Sequence, residues 1–438
     1  MHFITSTQKA FFTGTFLLTA AGILSRIIGF FYRIFLSRTF GAECLGIYQL
    51  IFPVMSLCFS LTSAGIQTSI SRFVSGAAAR ENMPLARLYL RIGLTFSVIL
   101  SVLTGLFMWY QSSFLADRIL MEPRCAPLLK LLAFCYLPCS IHSCINGYYY
   151  GLKKAGVPAL SQLIEQLTKV GSVCLIYQVA SEKQIPVTIT LAIWGMLFSE
   201  LAGMLVSFSF LGFGTCAKGW RKPAISLFRM TCPLAASRII LNLFSSIENL
   251  LIPERLRLFG YTSKEALSIY GILTGMAFAI ILFPTVLTNS ASVLLLPSVS
   301  EAQAKKDVFL LKRVIRLTVE ACLFLGFLCT AGLLLFGNFI GYLLFQNALA
   351  GRFLVTLSWI CPFLYLSAAL NSVFHGLGKP SLVLLLNLSG CLIRIAFIYF
   401  LVPVIGIRGY LSGLLISHIC QCVSAIFILT RKNFLYKA

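Results

Sequence analysis

Apolar runs of about twenty residues recur from one end of this chain to the other, and they fix its fold class. A helix rises about 1.5 Å per residue, so about twenty apolar residues cross a hydrocarbon layer of about 30 Å. Inside that layer every backbone N–H and C=O must be bonded within the chain, which leaves only helices and closed barrels. A barrel would show alternating segments of about ten residues. These runs do not alternate. Composition agrees: 58% of the 438 residues are hydrophobic and 11% charged, with a mean hydropathy of +0.91. The expected class is an all-α integral membrane protein. Its opening resembles a signal sequence, with Lys9 ahead of an apolar run. That run continues through Arg26 without a small-residue cleavage site, so it is expected to stay as the first span.

Reading apolar windows between charged or Pro/Gly-marked loops gives twelve expected spans, near 10–36, 45–71, 88–111, 127–150, 157–179, 186–211, 223–252, 268–297, 314–336, 353–374, 381–403 and 407–430. The formal charge of +22 would suggest nucleic acid in a soluble protein, but the basic residues sit mainly in short loops between spans. Topology explains them better, and no nucleic-acid partner is expected. With the N-terminus inside, 20 Lys and Arg fall on the cytoplasmic side and 10 on the other. Both termini are therefore expected in the cytoplasm of a bacterial cell (plasma) membrane. The 15 cysteines lie mostly in apolar runs without a repeated CxxC or Cys/His metal spacing. They read as small buried hydrophobes, and no metal or cofactor is expected.

Nine ionisable residues remain for the membrane interior: Arg26, Arg33, Lys169, Arg238, Arg394, Glu165, Glu200, Glu248 and Glu320. An arginine at the bilayer centre costs about 2.5–3.5 kcal/mol on insertion scales, so each needs a reason. Arg26 and Arg33 lie seven apart in AGILSRIIGFFYRIFLSRTFG, from Ala21 to Gly41, and share a stripe with Gly22 and Gly29. The other faces are Ile, Leu and Phe. Such a stripe should face protein or a polar cavity, and a guanidinium fork suits pyrophosphate oxygens. The competing reading is an internal pair with a glutamate or a helix-end carbonyl.

The seventh span offers a second stripe, Arg238, Asn242, Ser245 and Asn249, with Glu248 beside it. The second span places Gln49, Ser56, Ser60, Ser63, Gln67 and Ser71 on one face, and the eighth carries Thr285, Thr288, Asn289 and Ser292. Hydroxyls and amides there suit sugar hydroxyls, or equally bond neighbouring helices. Glu165 and Lys169 stand at i and i+4 with Gln162 and Gln166 extending their face, in the order that favours an ion pair. That pair reads as structural, or as a proton or cation site at Glu165. Asn387 and Arg394 form the matching face of the eleventh span, and Glu200 and Glu320 read as isolated, either neutral or paired within their helices.

The chain repeats itself. NGYYYGLKK at 146–154 corresponds to NSVFHGLGK at 371–379, a spacing of 225, with Pro158 and Pro380 following. RFVSGAAAREN from Arg72 pairs with PSVSEAQAKKD from Pro297, and Lys169 with Arg394, at the same spacing. Two six-helix lobes, 1–215 and 216–438, around a central polar cavity are expected.

SRIIGFFYRIFLSRTFGAECLGIYQLIFP, Ser25 to Pro53, and LPSVSEAQAKKD, Leu296 to Asp307, resemble the stage V sporulation protein B and polysaccharide-export family. That family lies within the multidrug/oligosaccharidyl-lipid/polysaccharide flippase superfamily, which also holds lipid II flippases and multidrug exporters. The resemblance implies alternating access and movement of an undecaprenyl-pyrophosphate-linked oligosaccharide or cell-wall precursor from the inner to the outer leaflet. Where lipid II flippases of the Gram-negative type read Gly-Phe-x-Arg-Asp, this chain reads Gly29-Phe30-Phe31-Tyr32-Arg33. The resemblance thus passes the substrate-binding role to Arg33.

The expected partners are the polyprenyl-pyrophosphate-linked glycan and membrane lipids, with the protein a monomer. A proton- or cation-coupled multidrug exporter is the alternative. Cationic drugs would want acids, whereas the first and seventh spans set Arg26, Arg33 and Arg238 against Glu248. No GxxxxGK[ST] loop is present. The two aspartates, Asp117 and Asp307, fall on opposite sides of the expected topology, which disfavours a membrane-embedded transferase.

Overall fold

A computed structural model describes residues 6–212, 214–217, 219–285 and 308–430. They are helical almost throughout. The helices in chain order are α1 (Ser6–Leu50), α2 (Phe52–Phe59), α3 (Gly65–Ala79), α4 (Met83–Phe114), α5 (Ala126–Leu132), α6 (Tyr136–Gly151), α7 (Gly156–Glu182), α8 (Thr190–Ser209) and α9 (Arg221–Leu258). There follow α10 (Ser263–Gly271), α11 (Phe278–Ile281), α12 (Val308–Phe345), α13 (Ala348–Leu357), α14 (Cys361–Gly376), α15 (Pro380–Phe400), α16 (Val402–Ile405) and α17 (Ile407–Thr430). Helix starts carry the expected chemistry. Asn82 caps α4 by accepting from Leu85 N, and Thr262 with Glu265 forms a capping box on α10.

Among the described residues ten helical stretches are long and apolar enough to cross a membrane. The first runs over 63 residues, Leu17–Ala79, about twice one crossing. Within it Gly41 leaves helical geometry at φ 76°, ψ 176°, a conformation open in practice to glycine alone. The fifth expected span is α7, 27 residues long, whose charged and amide side chains lower its hydropathy. A multi-pass helical membrane protein follows, and the twelve expected spans are consistent with it.

The described chain forms two compact units, Met1–Tyr32 with Leu50–Leu243, and Arg33–Gln49 with Phe244–Ala438. The first unit turns ordinary solubility inside out. Ser63, Ser69, Ser97, Ser101, Ser140, Ser161 and Ser207 are at most 1% exposed, whereas Leu103, Phe107 and Tyr110 exceed half exposure. Small hydroxyls inside let helices approach and bond without carrying charge. Thus Ser97 Oγ donates to Thr62 O at 2.6 Å, and Ser101 and Ser140 hydroxyls meet at 3.0 Å. Gly147 and Gly151 face the Gln67 and Ser71 carbonyls so closely that any Cβ would overlap them, which fixes the α3–α6 crossing. In the second unit, Gly46 and Gly271 oppose each other with the same intolerance. Its core gathers Leu366, Leu370, Val373, Phe374, Leu386 and Cys422.

The segments 146–154 and 371–379 end in the same turn. Lys153 and Gly378, 225 residues apart, both take left-handed φ, 59° and 68°. The bonds around them match: Lys154 N to Tyr149 O and Lys379 N to Phe374 O are both 2.9 Å.

Candidate functional site

Among the described residues polar side chains converge at two places, one inside each unit. In the second, α9, α15 and α17 bring together Glu248, Arg394 and Tyr410. Glu248 Oε1 accepts from Arg394 Nε at 2.7 Å and from the Tyr410 hydroxyl at 3.0 Å. The pair is nearly dry, with side chains 14% and 7% exposed. Arg394 Nη1 donates to Ser417 Oγ at 3.4 Å, and Nη2 lies 3.2 Å from Cys391 Sγ. Beside them is a cavity of about 320 Å³ whose polar wall is Ser245, Glu248, Asn249, Arg394, Tyr410 and His418. Its other wall is Leu, Ile and Phe. Asn249 Nδ2 donates back to Ser245 O at 2.8 Å, and its Oδ1 accepts from Tyr270 at 3.2 Å. A buried carboxylate held by a guanidinium and a phenol is charge-balanced, so it offers little to a cationic ligand.

In the first unit, His142 on α6 sits between two carboxylates. Its Nε2 is 2.8 Å from Glu200 Oε2 on α8, and its Nδ1 is 3.3 Å from Glu165 Oε1 on α7. Ser161 Oγ donates to Glu165 at 2.8 Å, and Ser207 Oγ donates to Asn146 Oδ1 at 3.3 Å. Lys169 lies 5.7 Å over the Tyr32 ring and is an electrostatic neighbour of Glu165. Cys139, His142 and Glu200 are the residues of metal-ligand type that come together here.

Other singled-out residues fall as follows. Arg26 is exposed on α1 and belongs to the first unit, whereas Arg33 is half-buried in the second, with Tyr48 its electrostatic neighbour. Arg238 is exposed on α9. Among the described residues no carboxylate lies within 4.0 Å of Arg33 or Arg238. Asn242 donates to Ser60 Oγ and to Ser56 O, tying α9 to the second expected span. Ser60 is 2% exposed and Ser63 fully buried. Gln49 and Gln67 are half-buried. Asn289, with Thr288 and Ser292, lies outside the described residues.

One expectation changes: Glu200 is not isolated, because α6 delivers His142 to it across the helix interface. Glu248, beside the Arg238 stripe on α9, is bonded by Arg394 from α15. Both partners come from other helices, which spacing along one helix cannot disclose. Glu320 is held within its own helix by Arg316 Nε at 2.8 Å. Sequence reasoning missed His142, Tyr410 and Tyr270. His142 carried a usable signal: a histidine in an apolar span raises the same question as an intramembrane acid.

The architecture has a counterpart among solved structures. It superposes with a TM-score of 0.77 on a solved structure described as the inward-facing conformation of a multidrug resistance MATE family transporter of the MOP superfamily. The match is 16% identical and covers 94% of this chain and 96% of that one. Residues 11–300 match the polysaccharide biosynthesis protein family, and the chain belongs to it. It is similar to "Stage V sporulation protein B" of Bacillus subtilis (strain 168), 26% identical over 92% of this chain and 80% of that protein. It is also similar to "Lipid II flippase MurJ" of the same organism, 20% identical over 97% and 83%.

Proposed function

We propose that the chain is a flippase for undecaprenyl-pyrophosphate-linked oligosaccharide or cell-wall precursor, moving the head group from inner to outer leaflet by alternating access. Family and fold support a flippase or transporter. The observation that carries the finer reading is the balance of interior charge. Glu248 is neutralised by Arg394, and Glu165 and Glu200 are gathered on His142. Arg33 and Arg238 have no carboxylate within 4.0 Å among the described residues. Arginine left over in a low-dielectric protein favours an anion such as pyrophosphate. Arg26, Arg33 and Arg238 are proposed each to offer a guanidinium to it, with Gln49, Ser60, Gln67, Ser245 and Asn249 offering uncharged polar groups to the sugar.

The lipid-linked glycan and the surrounding lipids are the proposed partners of a monomer in the bacterial plasma membrane, with both termini cytoplasmic. The halves 1–215 and 216–438 are proposed as its repeat units. A pyrophosphate crossing as an anion is driven outward by about 2.3 kcal/mol per charge per 100 mV of inside-negative potential. The protein on this reading is a transporter and not an enzyme.

The test is complementation of a flippase-deficient strain, with mass spectrometry of co-purifying lipids. Arg33→Ala should lose complementation at normal membrane abundance and lose a polyprenyl-pyrophosphate glycan that the native protein retains. Full complementation by Arg33→Ala would sink the anion reading. Bound cationic amphiphiles in place of the glycan would favour a multidrug exporter.

A further inference from the structure

The first unit contains a group of side chains that the flippase reading does not use. Cys139 and His142 are three apart on α6 and therefore share one face of that helix. Glu200 comes from α8, which packs against α6. The Cys139 thiol lies within 4.8 Å of the Glu200 carboxylate, and His142 Nε2 lies 2.8 Å from it. One ligand atom from each of the three residues falls within a common span of 4.8 Å. His142 and Glu200 side chains are 11% and 18% exposed.

We infer that Cys139, His142 and Glu200 form a binding site for one divalent cation of borderline softness, zinc(II) in class, with Glu165 as the residue that orients the histidine.

Three physical points carry this. First is donor chemistry: a sulfur, an imidazole nitrogen and a carboxylate oxygen are the set that zinc(II) takes, and magnesium or calcium does not. Second is charge. With the thiol deprotonated, thiolate and carboxylate contribute two negative charges, which a divalent ion cancels around a neutral imidazole, leaving a neutral centre in a dry interior. The thiol proton leaves on binding, so uptake of the ion releases a proton. Third is the far side of the ring. Metal-binding histidines characteristically donate their second N–H to a carboxylate, and Glu165 stands 3.3 Å from His142 Nδ1. Ser161 Oγ in turn holds Glu165 at 2.8 Å. Bonds of about 2.0–2.3 Å to a tetrahedral ion separate ligand atoms by about 3.3–3.7 Å. The His142–Glu200 contact then opens by about half an ångström, and water fills the fourth position.

Charged neighbours are few: Lys169 near Glu165 is the cation recorded there. The inference does not depend on what the protein transports.

The experiment uses the full chain, purified in detergent, stripped with chelator and titrated with cobalt(II) as a spectroscopic probe for zinc(II). Native protein should bind one ion per chain, with visible bands of a tetrahedral centre and a near-ultraviolet sulfur-to-cobalt band, both removed by zinc(II). Cys139→Ser should lose the sulfur band although fourteen other cysteines remain. His142→Ala and Glu200→Gln should lose stoichiometric binding. Glu165→Gln leaves the three ligands in place, and should weaken binding about 10–100-fold while keeping the spectrum. Equal cobalt binding by native protein and His142→Ala overturns the site, as does a sulfur band surviving in Cys139→Ser. If the chelated native protein binds no cobalt while remaining monodisperse, the cluster holds protons only and the inference fails.

Discussion

Replacing Arg394 by methionine removes the only guanidinium bonded to Glu248 among the described residues. The carboxylate side chain is 7% exposed, so bulk solvent screens it little. Breaking a buried pair by deleting one partner costs about 3–5 kcal/mol, since the remaining charge is left uncompensated. Tyr410 still donates to Glu248 Oε1 at 3.0 Å. A hydrogen bond to a charged acceptor contributes about 1.5–3 kcal/mol, which places the expected loss at the lower end, about 3 kcal/mol. That is roughly a 150-fold change in the unfolding equilibrium. Adding Glu248→Gln removes the stranded charge and leaves a carbonyl that still accepts from Tyr410. The double variant should therefore recover to within about 1 kcal/mol of the native protein, giving a coupling of at least about 2 kcal/mol between the positions. Reversible unfolding in mixed micelles, with all four forms of the cycle, measures this. A cost below about 1 kcal/mol for Arg394→Met, or a double variant equal to the sum of its singles, would refute the account of a dry, mutually dependent pair.

Other expectations follow from closely packed or strained positions. Gly271→Ala places a Cβ in overlap with the Ala42 carbonyl oxygen. It should lower the melting temperature clearly, whereas Gly76→Ala, with nothing within 4 Å, should leave it unchanged or slightly raised; equal effects would contradict the assigned crossing. Gly41→Ala must hold an L-residue at φ 76°, ψ 176°, at about 1–3 kcal/mol, and an unchanged unfolding midpoint would argue against that break. Asn242→Ala loses the bonds to Ser60 and Ser56 and should cost about 1 kcal/mol, with Asn242→Asp worse than alanine because it buries a charge. Thermal scans of the three ranked together check the order.

Fold class was legible in the sequence because the bilayer permits so few solutions: span length and hydropathy alone lead to a helical membrane protein. The turn shared by Lys153 and Gly378 lies at the fixed spacing of 225 residues that the sequence offers. Partnerships across helices were not legible. Glu165 and Lys169 share a helix, so their proximity could be read from spacing. The meeting of Glu200 with His142, or of Glu248 with Arg394, depends on how α6 faces α8 and α9 faces α15. A span buried on several sides has no polar face to announce its orientation. Serine lining was half legible: the second-span stripe could be seen, but Ser97, Ser140 and Ser207 hide among apolar residues with no period of their own.

The segment Arg33–Gln49 belongs to the unit made otherwise of residues after Phe244, while the chain on both sides of it belongs to the other. It is synthesised well before the residues it packs against. Gly271, the glycine that Gly46 needs opposite it, is made more than two hundred residues later. At about 5–20 residues per second, that delay is roughly ten to forty seconds. Throughout it the turn at Gly41 and the glycine at 46 must wait in the nascent membrane without the helix that packs on them. Substitutions there are expected to act first on how much protein survives its own synthesis.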